Sequence, residues 1–315
     1  MHPRVTGLRG VELGVRDLKK TVEFYTNAWG LEEVSREGDT VYMRGTGAEH
    51  HILAVHERPK ACLIGASFAA DDRAQVDALY QKVKAFGAEI LTVPSELSVA
   101  AGGGYGFSFR SLEGQPMMIS CDVKTHSNII ADSSRPKKLT HVVLNSTRID
   151  DTAKYFMDMF GFRLSDETDH MTFIRCSSSH HAVAIAKAAG PGLNHMAYEM
   201  ENFDGLMSGT GRLKSAGTEV AWGVGRHGPG NNIFTYFVEP NGFATEYTTE
   251  VEQIDEATYQ PHTKKYWSDF PNRPCRWNVA TKASAAMRYA SSGQMVEDLN
   301  NGVCDDIISR KLAGN

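Results

Sequence analysis

The chain repeats itself, and a fold that must hold two copies of one plan has few solutions. At a nearly constant offset, Leu8-Arg9-Gly10-Val11-Glu12-Leu13 lies over Leu139-Thr140-His141-Val142-Val143-Leu144. Leu18, Val22, Tyr25, Trp29 and Gly30 then fall over Ile149, Ala153, Phe156, Phe160 and Gly161, a helical spacing with one apolar face and a terminal glycine. His50-His51 and the apolar run to Val55 overlie His180-His181 and the run to Ile185. Strands follow from Leu63 to Ala70 and from Leu193 to Met200. After them come helices carrying Val76, Val83 and Gly87 over Leu206, Leu213 and Gly217, and hairpins turning at Gly114 and Gly242.

The pattern predicts an α+β protein of two similar domains, each about one small module long and richer in strand than in helix. They span residues 1–122 and 138–250, with a polar, turn-forming linker over 123–137. Residues 251–315 belong to neither copy. They are aromatic and proline-rich from Tyr266 to Trp277, with an Ala/Met stretch near Ala280–Met295 that fits a helix. This tail is expected to pack on the second module or at a subunit contact, with a lid as the further role to test.

At 315 residues, 41% hydrophobic and 23% charged, the chain suffices for two globular domains. A net charge of -5 gives no reason to expect nucleic acid or an anionic membrane as partner. No signal-like segment and no apolar run of spanning length is present, so a cytoplasmic location is expected. The five cysteines are scattered, odd in number and lack CxxC spacing, which fits reduced thiols better than a zinc-thiolate site.

The two copies differ chemically. Gly225 to Tyr247 reads as strand, tight turn at Glu239-Pro240-Asn241-Gly242, and strand, and Glu246 is a carboxylate within the second apolar run. Such a group is costly to bury unless something positive meets it, and a metal ion is one candidate. His141 and His195, in similar strands, are the available partners. In the first copy these positions hold Gly10, Gly65 and Met118, none of which can hold a metal. Two imidazoles and one carboxylate suit non-haem Fe(II), although zinc hydrolases use the same donors. His50-His51 in the first copy argues that paired histidines are partly an inherited structural feature. His56, His126, His170 and His262 match no pattern and read as surface residues, and Arg175, Arg226 or Lys187 could meet an anionic substrate group.

His227, Tyr236, Glu239, Pro240, Gly242 and Glu246, in that spacing, resemble the signature of the type I extradiol ring-cleaving dioxygenases of the vicinal oxygen chelate superfamily. Thr235 departs from it, where an apolar residue is usual. The resemblance covers residues 5–250 and implies tandem βαβββ modules with a C-terminal extension. It also implies His141, His195 and Glu246 as metal ligands, His181 as acid-base histidine, and His227 and Tyr236 as a hydrogen-bonding pair. Strand alternation allows only one of His180 and His181 to face the metal, and the resemblance selects His181. The implied activity is Fe(II)-dependent opening of a small aromatic diol by O2, with Mn(II) as a substitute metal and a homo-oligomer as the assembly. A glyoxalase-like isomerase or transferase on the same fold is the second reading, and a non-enzymatic small-molecule binder the third.

Overall fold

The computed structural model describes residues 2–303; Cys304 and the tail beyond it to Asn315, part of the region expected to form a lid or contact, lie outside the described residues. The first repeat runs β1 (Gly7–Val15), α1 (Leu18–Glu23), β2 (Glu32–Glu37), β3 (Thr40–Arg44), β4 (Leu53–Glu57), β5 (Cys62–Ala69), α2 (Arg73–Phe86), β6 (Ile90–Glu96), β7 (Tyr105–Arg110) and β8 (Pro116–Cys121). The second runs β9 (Lys138–Ser146), α3 (Ile149–Phe160), β10 (Arg163–Glu167), β11 (Met171–Arg175), β12 (Val183–Lys187), β13 (Gly192–Glu199), α4 (Phe203–Ser215), β14 (Trp222–Arg226), β15 (Ile233–Val238) and β16 (Ala244–Thr249).

Each repeat forms one eight-stranded sheet, ordered β2-β3-β4-β1-β5-β8-β7-β6 and β10-β11-β12-β9-β13-β16-β15-β14. Within each, a strand launches a helix, and the chain returns as a three-strand meander whose last strand lies parallel to the launching one: β4 on β1, β8 on β5, β12 on β9, β16 on β13. One copy therefore holds two βαβββ units joined edge to edge, where the repeat alone suggested one small module. The joins are the antiparallel pairs β1–β5 and β13–β9.

Local chemistry explains the boundaries. Asp72 and Asn202 cap α2 and α4 by accepting from the backbone N–H groups of Gln75 and Gly205, and Gly87 closes α2 in the left-handed conformation. The helical spacing read from Leu18 to Trp29 is realised as α1 followed by a wider π turn over Phe24–Trp29. That turn places Trp29 in the middle of the molecule, its ring 4.1 Å from that of Tyr247 and edge-on to Tyr198 and Phe237. On the other side Phe160, its counterpart in the repeat, packs on Phe109 of the first sheet. One continuous core thus joins the two sheets.

The tail adds α5 (Lys264–Asp269), α6 (Ala285–Ser291) and α7 (Gln294–Asn300). The Ala/Met stretch is broken after α6, with Gly293 in the left-handed region. Cys275, Ala280, Met287, Ala290 and Met295 bury themselves against Phe234, Tyr236 and Ala244 of the second sheet. The Asn300 side chain then bonds the backbone of Ala61 at 2.7 and 2.8 Å, tying the tail to the first repeat.

Candidate metal centre

His141, His195 and Glu246 stand on three adjacent strands, β9, β13 and β16. Ala197 pairs with His141 on one side and Glu246 on the other, and His195 lies two residues before Ala197, so all three side chains leave the same face. The equivalent register in the first sheet, Glu12 with Gly65 and Ser67 with Met118, puts Gly65 and Met118 at the positions of His195 and Glu246. Val11 pairs with Leu53 as Val142 does with Val183, which puts Gly10 at that of His141.

The three side chains converge. His141 Nε2 and His195 Nε2 lie 3.2 and 3.3 Å from the same oxygen, Oε2 of Glu246, and a ligand atom from each residue falls within 4.8 Å of the others. Glu246 has no exposed surface, and Asn232 Nδ2 donates to its other oxygen at 3.3 Å. Burial alone would raise the Glu246 carboxyl, but the imidazoles of His141 and His195 outweigh it and hold it well below the usual carboxylate range. His195 is pushed down by burial against the opposing pull of Glu246. His195 Nε2 is buried without a hydrogen-bond partner, and a nitrogen so placed beside a buried carboxylate oxygen fits a divalent cation. His195 Nδ1 meets Asn194 Oδ1 at 2.8 Å, Asn194 Nδ2 donates to Asn145 Oδ1, and Asn145 Nδ2 donates to the carbonyl of Ser291 in α6. This chain holds the His195 ring from behind.

The remaining candidates surround this cluster. The His181 ring sits 4.2 Å from that of His141 and lines the cavity, whereas the buried His180 turns the other way toward Asp166. Burial first, then the histidines His141, His180, His227 and His195, drives the His181 pKa well below its ordinary value. His227 Nε2 and the Tyr236 hydroxyl are 3.0 Å apart. Burial takes His227 down to about 4 against the pull of Glu246 and raises Tyr236 well above the usual phenol range. His227 stacks on Phe234 at 3.8 Å, and its backbone N–H donates to Asn232 O at 2.9 Å, so the Gly228-Pro229-Gly230 loop is anchored at its start. Thr235, the departure from the dioxygenase signature, is fully buried.

His141, His181, His195, His227 and Tyr236 border a cavity of about 280 Å³ whose other walls include Val143, Met171, Phe173, Trp222 and Met287. The tail contributes Arg273 and Pro274, from the segment between Tyr266 and Trp277 whose lid role is the one to test, together with Ala283, Met287 and Ser291, which sequence patterning did not single out. Two expectations need correction. His170 is exposed, as expected, and also lines the cavity, whereas His56, His126 and His262 are only partly exposed and bond Glu12, the His50 carbonyl and the buried Asp166, so these three are not free surface residues. Arg175 is tied to Glu256 at 2.8 and 2.9 Å and Arg226 to Glu250, which leaves Arg273 as the cation on the cavity wall.

The model of the Glyoxalase/Bleomycin resistance protein/Dioxygenase superfamily matches residues 7–111 and 138–247, and the chain belongs to that superfamily. Among similar proteins, metapyrocatechase 2 of Cupriavidus necator is 31% identical over 122 residues, 38% of this chain and 38% of its own length. The manganese-dependent 2,3-dihydroxybiphenyl 1,2-dioxygenase of Geobacillus genomosp. 3 is 24% identical over 254 residues, 71% of this chain and 78% of its own. The solved Mn(II)-bound glyoxalase from Novosphingobium aromaticivorans superposes with a TM-score of 0.83 at 38% identity, covering 90% of this chain and 94% of its own.

Proposed function

We propose that the chain is an extradiol dioxygenase that opens a catechol-type ring beside its two hydroxyls with O2, using Fe(II) or Mn(II) held by His141, His195 and Glu246. The observation that carries this reading is the convergence of those three buried side chains, with His141 and His195 lining an apolar cavity and Glu246 buried behind them. A divalent ion there would supply a Lewis-acidic anchor for two adjacent oxygens and an electron route to O2. In this reading His181, held neutral by burial, takes the proton of the second hydroxyl and later returns one. His227 and Tyr236 orient the oxygens by hydrogen bonds. Phe173, Trp222 and Met287 exclude water and pack the ring. A cavity of about 280 Å³ exceeds the ~150 Å³ that accepts benzene and supports a single substituted ring as substrate.

A second reading, glyoxalase-like isomerisation, draws on the similarity to the Novosphingobium protein. Such chemistry consumes no O2. Ferrous- or manganese-loaded protein mixed anaerobically with a catechol panel and then exposed to air separates the two. Stoichiometric O2 uptake with a yellow ring-fission product supports the dioxygenase, while metal occupancy without O2 uptake sinks it.

Cytoplasmic location and self-association belong to the same proposal. Cys62, Cys121, Cys176 and Cys275 are unpaired, which supports a reducing compartment, and no helix among the described residues is long and apolar enough to cross a membrane. Self-association rests on the family resemblance, and sedimentation of the purified chain tests it.

A further inference from the structure

His180 is wholly buried, and its position is fixed before its ring is considered. Its N–H donates to Glu252 O at 2.9 Å, and its carbonyl accepts from Ser165 Oγ. Its ring bridges two groups: Nε2 meets Asp166 Oδ2 at 2.9 Å, and Nδ1 meets Nδ1 of His181 at 3.0 Å. Asp166 is itself 1% exposed. Its second oxygen, Oδ1, faces the backbone N–H of His262 at 2.8 Å, the His262 ring Nδ1 at 3.0 Å and the Tyr259 hydroxyl at 3.3 Å.

These contacts have one consistent direction. Asp166 accepts throughout, so His180 Nε2 carries hydrogen and donates to it. Taken as a neutral imidazole, His180 donating from Nε2 has a bare Nδ1, which accepts from His181. His181 then carries its hydrogen on Nδ1 and keeps Nε2 bare. Since His181 lines the cavity while its Nδ1 is engaged by His180, the bare nitrogen is the one left for whatever the cavity holds.

The first repeat supplies an internal control. His50 and His51 keep the same contact, Nδ1 to Nδ1 at 3.1 Å. Asp166 pairs with Phe173, which pairs with Ala184; Ser35 pairs with Tyr42, which pairs with Ala54. Ser35 thus occupies the place of Asp166. Its hydroxyl donates to Ala100 O, and the His50 ring stacks on His126. The paired histidines are inherited by both copies, whereas the carboxylate that gives the pair a direction occurs only in the copy bearing His141, His195 and Glu246.

We propose that Asp166 and His180 are positioning residues that fix the Nδ1–H tautomer of His181 and so present its unprotonated Nε2 to the cavity. The assignment rests on the role given to His181 above. When Nε2 takes a proton from a substrate hydroxyl, the Nδ1 hydrogen stays in its bond to His180. The tail takes part, because His262 and Tyr259 hold Asp166 from the far side.

The test is a substitution that preserves shape and reverses direction. In Asp166→Asn the side-chain oxygen must face the His262 backbone N–H, which can only donate, and the amide NH2 must face His180 Nε2. His180 then protonates on Nδ1, His181 accepts on Nδ1, and its Nε2 carries the hydrogen. Ring-nitrogen NMR on 15N-histidine-labelled protein reads this directly, with His180→Phe and His181→Phe spectra assigning the signals. In the wild type His181 should be protonated on Nδ1 and His180 on Nε2, and in Asp166→Asn both should switch. Turnover with a catechol should fall on the order of 10²-fold or more, as loss of a tautomer-setting carboxylate does elsewhere, with metal content and KM unchanged.

A wild-type His181 bare at Nδ1 overturns the proposal, as does an Asp166→Asn protein with wild-type tautomers and turnover. The wild-type spectrum needs no variant, so the test survives if Asp166→Asn fails to fold. Wild-type tautomers as stated in a protein that takes up no O2 would uphold this assignment while ending the dioxygenase reading.

Discussion

At the scale of single residues, burial decides which groups can do chemistry. His141, His195 and Glu246 are each at most 6% exposed, and a carboxylate hidden to that degree is tolerable because two imidazoles face it. His181, close by, lines the cavity beside His141, and burial lowers its pKa so that it enters the site unprotonated. His181→Phe is expected to leave bound metal unchanged and to lower turnover by roughly 10²–10⁴-fold; unchanged turnover in a metal-replete variant would remove His181 from the chemistry. A second consequence concerns pH. Burial lowers His51, in the first repeat, from 6.5 to about 4, against the opposing effect of Glu12. The unfolded chain therefore binds a proton before the folded one does. Stability from this group is full above pH 6.5 and is lost as pH falls toward 4. His51→Gln should flatten the fall in denaturant midpoint between those pH values, and an identical slope in both proteins would contradict the assignment.

Elements turn these residues into a site by register. The helical and strand periodicities, the capping glycines and the hairpin turns were legible because each is a local pattern. The triad was legible because the repeat exposed Gly10, Gly65 and Met118 as its empty counterparts. Asp166, His262, Arg273 and Met287 were not, since they come together through the bridge of His262 to β10, the bond from the Gly228 N–H to the Arg273 carbonyl and the packing of α6 on β15, between positions far apart in sequence. The offset that places Ser35 under Asp166 was the one available signal for that residue. The turn between β15 and β16 has its own test. Gly242 has φ 93°, and a Cβ there would meet Leu299 Cδ1 at 3.0 Å, Met295 Cγ at 3.1 Å and Val296 N at 3.2 Å. Gly242→Ala combines left-handed strain with displacement of α7, and should cost about 1–3 kcal/mol in equilibrium unfolding; a wild-type midpoint would show that α7 yields freely.

Across the whole molecule, one plan used twice has been given unequal work. The first sheet supplies Trp29 to the shared core, and Arg212 of the second repeat bonds the carbonyls of Ala28 and Trp29, so each half completes the other. The tail then wraps the second sheet, lends Arg273, Pro274 and Met287 to the cavity and returns to Ala61. Truncation after residue 260 should therefore raise KM for catechols and broaden the range accepted, and a shortened chain with unchanged KM and range would deny the tail any part in binding. The account as a whole depends on the buried triad holding a metal, and metal analysis by mass spectrometry of protein reconstituted anaerobically with Fe(II) or Mn(II) tests that most directly. It predicts one ion per wild-type chain and almost none in His141→Ala or Glu246→Ala. A metal-free wild type, or variants that keep their ion, would contradict it.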